Sequence, residues 1–315
     1  MTIEMLIGAS VLAATLRLAT PIALAALGGV VTERGGVTNI ALEACMLVGA
    51  FFGIVAADRS RNIWVALAVA LLAGLAVAGL HAFASITLRS DQIVSGMALN
   101  ILALGLTSYL DYQLYGTTGT PPDLPALPDL QLGFLDRLPY VGDAIGSQNS
   151  AVWIMVLLVI GLQFVLFRTV AGLRLRAVGE HPRAAETVGI DVRRIRYIAV
   201  LTSGVLAALG GAYLSLGVAH SFTDGMTGGR GFIGLAAMIF GRWTPAGALA
   251  ASLIFGYGDA LSTSLQGATI GDTRVPVQLL GTLPYVLTIL AVAGLVGRSR
   301  PPAADGVPYE TEGHA

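Results

Sequence analysis

GEHPRAAETVGIDVRRIRY, residues 179–197, sets four Arg and three carboxylates between two long apolar stretches. A polar island of this kind lies outside the hydrocarbon of a bilayer, so the runs on either side read as membrane crossings. The rest of the 315-residue chain agrees, being 55% hydrophobic and 12% charged, against roughly 25% charged for a soluble domain. The composition predicts an all-α polytopic bundle of transmembrane helices, because lipid-exposed backbone must satisfy its own hydrogen bonds.

Composition also excludes several classes. The formal net charge of −1 gives no bias toward nucleic acid. Cys45 is the one cysteine, so neither an intrachain disulfide nor a thiolate metal cluster is available. All 18 basic residues are Arg, and a chain with no Lys has no phosphate-binding P-loop. The start, MTIEMLIGAS, lacks a basic n-region and reads as part of a retained first segment rather than a cleaved signal peptide.

Apolar segments fall at about 5–31, 37–57, 63–88, 92–115, 151–168, 197–219, 231–257 and 276–297, giving about 8–9 membrane segments. The 116–150 connection holds four Asp and the single Arg137, whereas 168–197 holds seven Arg. By the positive-inside rule the second is cytoplasmic and the first extracytoplasmic, a loop with at most a short helix. Arg298 and Arg300 put the 298–315 tail inside as well. The parity of crossings then makes 231–257 a hairpin of two arms of about a dozen residues each, hinged at Gly241-Arg242-Trp243-Thr244-Pro245. The same count puts the N-terminus outside. Arg17 and Pro21 are expected to interrupt the first segment. NIALEACMLVG (39–49) and FIGLAAMIFG (232–241) share an Ile-x-Leu-x-Ala core followed by Met and Gly. That similarity fits either a pseudo-repeat of two halves or a chance match of two apolar strings.

Within the island, Pro182 opens a short helix, Gly189 ends it, and the next helix begins near Val192. Arg183, Glu186 and Arg193 are expected on its rim, with Ala184, Ala185 and Val188 as a small apolar face. Topogenic charge alone explains the Arg residues, but not the helix, glycine and span in sequence. The interleaved carboxylates spoil a polybasic lipid surface and favour a cytoplasmic protein partner.

Residues 179–217, GEHPRAAETVGIDVRRIRYIAVLTSGVLAALGGAYLSLG, resemble the coupling region of ATP-binding-cassette importer permeases, in the branch that serves branched-chain amino acids, ribose-type sugars and nucleosides. TERGGVTNIALEACMLVGAFFG (32–53) and GGRGFIGLAAMIFGRWTPAGALAASLIFGYGDAL (228–261) resemble the same branch. The likeness covers nearly all of 15–297 and is nearest to the shorter permease of nucleoside or simple-sugar systems. It implies one permease domain over 1–297, an ATPase-coupling segment at 169–197, and residence in a bacterial plasma membrane among lipid. The implied partners are a second permease in a heterodimer, a cytoplasmic ATPase and an extracytoplasmic substrate-binding protein. No cofactor is expected on this chain, since ATP belongs to the partner ATPase. The superfamily's coupling motif, Glu-Ala-Ala then Gly, stands here as Arg183-Ala184-Ala185 with Glu186 following and Gly189 in place. The coupling role therefore passes to Ala184, Ala185 and Gly189, with Arg183 and Glu186 beside them.

Polar residues inside the apolar runs are the candidates for the translocation path. Asn39 and Glu43, four apart, are expected on one helix face; Glu43 either faces the path or pairs with Arg34 or Arg17. Asn100, in a helix that starts at Asp91-Gln92, can bind a sugar hydroxyl or a neighbouring helix. Tyr109, Tyr112 and Tyr115 read as an interfacial belt. GGRGFIG (228–234) contains G-x-G-x-x-G, but apolar helices flank it, so it is read as a tight turn between close helices. A self-contained secondary transporter using Glu43 and Asp259 would leave the polar knuckle without a purpose, and no nucleophile, acid or metal arrangement supports an enzyme.

Overall fold

The architecture is an α-helical bundle whose two innermost helices are the first and the one after the polar island. The computed structural model describes residues 8–116, 119–121, 123–131, 133, 140, 142–266, 269–270, 273–274, 278, 281–282, 286 and 300–310. Most of the expected span at 276–297, and Arg298 after it, lie outside the described residues.

Helix α1 (Ala9–Arg34) runs unbroken through Pro21, contrary to the expected interruption. Its middle is enclosed by other helices, with Ala19, Ile22, Leu24 and Leu27 fully buried. Packing of this kind holds a helix through a proline that would break it in water. Helix α2 (Leu42–Ser60) follows a non-helical segment and a turn, so Asn39 precedes the helix and does not share a face of it with Glu43. Helix α3 (Ile63–Ala82) is capped by Asn62, whose side chain accepts from the N–H groups of Trp64 and Val65, and it ends in a π turn at Phe83–Thr87. Asp91 caps α4 (Gln92–Tyr115) in the same way.

The 116–150 connection holds a two-stranded antiparallel ribbon, β1 (Asp129–Gln131) with β2 (Ser147–Asn149), in the register Leu130 opposite Gln148. A π turn at Gly142–Gly146 leads into β2. A loop was expected here; the ribbon forms because Asn149 joins the two pieces, its Nδ2 donating to Leu127 O at 2.9 Å and Asp129 Oδ1 at 3.1 Å. Asn149 also caps α5 (Ser150–Arg168). The island then forms α6 (Val170–Glu180), α7 (Pro182–Thr187) and α8 (Val192–Ala212), the last continuing as a π turn at Tyr213–Ala219.

The expected hairpin is present but unequal. Helix α9 (Arg230–Phe240) has 11 residues, whereas α10 (Pro245–Ser264) has 20, longer than the dozen anticipated. Its glycines are sites of close packing: a Cβ on Gly256 would lie 2.7 Å from the Ala19 backbone N. A two-residue ribbon, β3 (Thr269–Ile270) with β4 (Thr273–Arg274), follows.

Small residues set how near α8 comes to its neighbours. A Cβ on Gly204 would sit 2.3 Å from Ala78 Cβ and 2.7 Å from Gly74 O, and one on Gly211 would sit 1.8 Å from Met46 O. No side chain fits there, and the backbones pack in direct contact, as lipid-embedded helices do where small residues face each other. By contrast α3, α4 and α5 expose Leu72, Ile101 and Leu157 outward. Among the described residues, five helices are long and apolar enough to cross a membrane: α1, α3 with its π turn, α4, α5, and α8 with its π turn.

Candidate coupling and translocation sites

The α9–α10 turn lies at the same end of the bundle as the polar island. Arg34, at the end of α1, donates from Nε to Trp243 O at 2.8 Å, and Trp243 Nε1 donates to Glu33 Oε2 at 2.5 Å. A Cβ on Gly179 of the island would lie 2.2 Å from Arg34 O, so island and turn both converge on the α1 terminus.

Two chain segments lie within the bundle before a helix begins. Residues 37–41 do so from the island end, without regular structure over 37–39 and through a turn at Ile40–Ala41. Asn39 is fully buried and donates from Nδ2 to Ser203 Oγ at 2.7 Å, and Ser203 lies about 16 Å along α8 at 1.5 Å per residue. Asn39 Oδ1 also accepts from Ala41 N at 3.0 Å. Asn100 brackets the same segment from α4: Nδ2 donates to Ile40 O at 3.0 Å, and Oδ1 accepts from Ala44 N at 2.9 Å. His81 bonds Thr38 O at 3.1 Å, and Gln92 Oε1 accepts from Thr38 N at 2.7 Å. These side chains replace the ladder that this segment lacks, as non-helical backbone requires at membrane depth.

The other interior start is that of α9, which spans about 16 Å and so begins partway through the bundle. Glu43, in the first turn of α2, is held there and not by Arg34 or Arg17. Its Oε1 accepts from Thr227 Oγ1 at 2.6 Å and Gly229 N at 2.9 Å, and its Oε2 accepts from Gly231 N at 2.6 Å. The carboxylate thus occupies the positive end of the α9 dipole and satisfies free N–H groups of its first turn. The GGRGFIG stretch is the turn that allows this. Gly228 and Gly229 have φ of +55° and +79°, and a Cβ on Gly231 would lie 2.6 Å from Glu43 Cα. The contact joins the first of the two similar segments, 39–49, to the turn that immediately precedes the second, 232–241. Thr227 and Ser203 were not singled out from sequence, although each is a polar residue in an apolar setting.

The knuckle forms as expected, with a different face. Pro182 opens α7, Gly189 follows it at φ +82°, and Asp191 Oδ1 caps α8 through Arg194 N at 2.9 Å. Arg183, Ala184 and Val188 point outward, while Ala185 turns in against Val178, Val192 and Tyr309. The anticipated apolar face of Ala184, Ala185 and Val188 is thus divided: Ala185 is buried, whereas Ala184 and Val188, the latter just past the helix end, are exposed. Glu186 accepts the hydroxyl of Tyr309.

Tyr309 belongs to a C-terminal segment that returns across this end of the bundle. Ala304 N donates to Gly179 O at 2.9 Å, Thr38 Oγ1 to Asp305 Oδ1 at 3.2 Å, and Arg196 to Val307 O at 2.9 Å. The Arg196 guanidinium lies 5.8 Å from the centre of the Tyr309 ring, and Arg89 pairs with Glu310 at 3.0 Å. Tyr109 and Tyr112 lie exposed near the opposite end of α4, as a belt requires, while the Tyr115 hydroxyl donates to Asp58 Oδ2 at 3.3 Å. Among the described residues, no group of three or more His, Cys, Asp or Glu is placed to hold a metal.

Comparison with known proteins assigns the frame. A family model described as "Branched-chain amino acid transport system / permease component" matches residues 11–292. The chain belongs to this permease family. It is 41% identical to the guanosine ABC transporter permease protein NupQ of Bacillus subtilis, over 94% of this chain and 95% of that one. It is 38% identical to the nucleoside ABC transporter permease protein NupC of Lactococcus lactis, over 92% and 93%. A second guanosine permease protein of Bacillus subtilis, NupP, matches at 26% over 81% and 72%, so relatives of this permease occur in pairs in one organism. Among solved structures, "An inward-facing conformation of a putative metal-chelate type ABC transporter" aligns with a TM-score of 0.52 and 18% identity, over 93% and 89% of the two chains. That likeness concerns the fold alone. The permease is a multi-pass membrane protein and a transport subunit, not an enzyme.

Proposed function

We propose that this permease carries nucleosides across a bacterial plasma membrane as one subunit of an ATP-driven importer. Residues 1–297 form the permease domain, with 116–150 outside the cell and 169–197 and the 298–315 tail in the cytoplasm. A second permease pairs with it to form a heterodimer, an extracytoplasmic binding protein delivers the solute, and a separate ATPase hydrolyses ATP. The observation that carries the reading is the knuckle, a short helix with Arg183 and Ala184 outward, released at Gly189 from the span that follows. Such a helix gives an engine on another chain a handle, and this chain, with no Lys, has no phosphate-binding loop of its own. The nucleoside class follows the names of NupQ and NupC.

In this reading Arg183, Ala184, Ala185, Glu186 and Gly189 form the coupling element. Asn39, Glu43 and Asn100 brace the translocation path. They hold the non-helical segment 37–41 and the α9 start, discontinuous elements of the kind that flank substrate in transporters. The test is uptake of labelled guanosine by proteoliposomes carrying both permeases, the ATPase and the binding protein. Uptake requires ATP, and Arg183→Glu abolishes it while the subunit still accumulates. Uptake by this chain without an ATPase, or unaffected by Arg183→Glu, overturns the proposal.

A further inference from the structure

The C-terminal segment does more than cover the end of the bundle. Its backbone and side chains touch the knuckle at Gly179 and Glu186, α8 at Arg196, the non-helical segment at Thr38 and the α3–α4 connection at Arg89. Between segment and α7 runs a groove of about 570 Å³. One wall is His181, Arg183 and Ala184; the other is Val307, Tyr309 and Glu310. Val307 is 53% exposed although it is apolar and its carbonyl is fixed by Arg196.

We infer that α7 and residues 307–310 form one composite docking surface, and that its occupant is the ATPase subunit. The inference rests on the coupling role proposed above and extends it to a second chain segment. Three features favour a protein over lipid. The groove is continuous with the outward face of α7. It sets a basic wall against Glu310, and a surface of both charge signs suits a protein of complementary pattern better than an anionic bilayer. Its walls are cross-linked by the Tyr309–Glu186 bond, so a partner seated in the groove moves both segments together. Because the C-terminal segment also holds Thr38, such a movement reaches the non-helical segment beside Asn39 directly, and not only through α8.

Cross-linking in the assembled importer tests this. The sole native cysteine, Cys45, is buried, so Arg183→Cys and Val307→Cys each give the chain one reactive thiol. A short thiol-to-amine cross-linker is applied to the complete complex and to the permease without its ATPase. Both positions are expected to give an adduct with the ATPase, and both adducts are absent when the ATPase is omitted. An adduct at 183 with none at 307 overturns the composite surface and leaves the coupling role intact. An adduct at 307 alone also overturns it, and adducts at neither position overturn the coupling role itself. A chain ending at Pro302 supplies a second readout: guanosine taken up per ATP hydrolysed falls severalfold while the ATPase remains bound through α7. An unchanged ratio overturns the inference.

Discussion

Glu43 and Glu186 carry the same carboxylate in opposite settings. Glu43 gives its oxygens to a hydroxyl and two backbone N–H groups at the start of α9, whereas Glu186 meets one phenol on a returning segment. The first setting is a lock. Three short bonds join α2 to a chain segment 184–188 positions away, in surroundings where N–H groups without partners find no water. The second is a hinge-side contact, made at the surface where water can replace it. The polar residues of the interior thus fix the architecture, while those of the knuckle leave α7 attached loosely enough to be moved.

The sharpest way to break this contrast is to remove both carboxylates. Glu43→Leu leaves Gly229 N and Gly231 N without acceptors, and the subunit is expected to lose about 3 kcal/mol, since a bond to a charged group contributes ~1.5–3 kcal/mol. Glu186→Gln is expected to stay within about 0.5 kcal/mol. Thermal unfolding in detergent measures both, and equal shifts would end the distinction. Asn39→Leu comes next, at about 1–2 kcal/mol, because Ser203 Oγ and Ala41 N both lose a partner in a fully buried site. Asn100→Leu is expected near 1 kcal/mol, toward the modest end measured for polar contacts between membrane helices.

Local features of the chain were legible. Pro182 opening α7, Gly189 after it and Asp91 capping α4 are decisions made within a few residues, by a fixed φ, a missing Cβ and a nearby acceptor. What sequence left open is decided by distant partners. Glu43 could have answered to any cation, but it is held by backbone N–H groups, which every sequence carries and none advertises. Asn39 was assigned to a helix because its spacing to Glu43 fits one, yet Ser203, 164 residues away, holds it in a non-helical segment instead. Pro21 misled in the same direction. Proline is a helix breaker in water, and it is tolerated where α1 is enclosed by neighbours such as Gly256 beside Ala19. The C-terminal segment carried only the charge signal of Arg298 and Arg300; its contacts join positions more than a hundred residues apart.

The smallest effect concerns how firmly that segment is held. Asp305 accepts from Thr38 Oγ1 and hydrogen-bonds the Glu33 carboxyl, with Arg196 nearby. Two carboxyl groups can share a hydrogen bond only while one keeps its proton. Burial, the largest influence, raises the Asp305 carboxyl above its ordinary value; the contacts with Thr38, Glu33, the Gly306 backbone and Arg196 oppose it without cancelling it. The sign follows. A carboxyl whose docked pKa exceeds its free value, roughly 3.9, binds its proton more tightly when docked. Its contribution is therefore complete at low pH and declines as pH rises through the raised value. Labelling of a cysteine at 307 in the ATPase-free permease should accordingly quicken as pH rises above the ordinary carboxylate range, after correction for thiol ionisation. Asp305→Asn keeps the acceptor for Thr38 and supplies a donor to Glu33 that does not titrate, so the pH dependence should flatten. A wild-type rate that is flat after that correction, or an Asn variant as steep as wild type, would place the control of the segment elsewhere. Glu186 and Tyr309 would then be the first groups to examine, since theirs is the contact that joins the segment to α7.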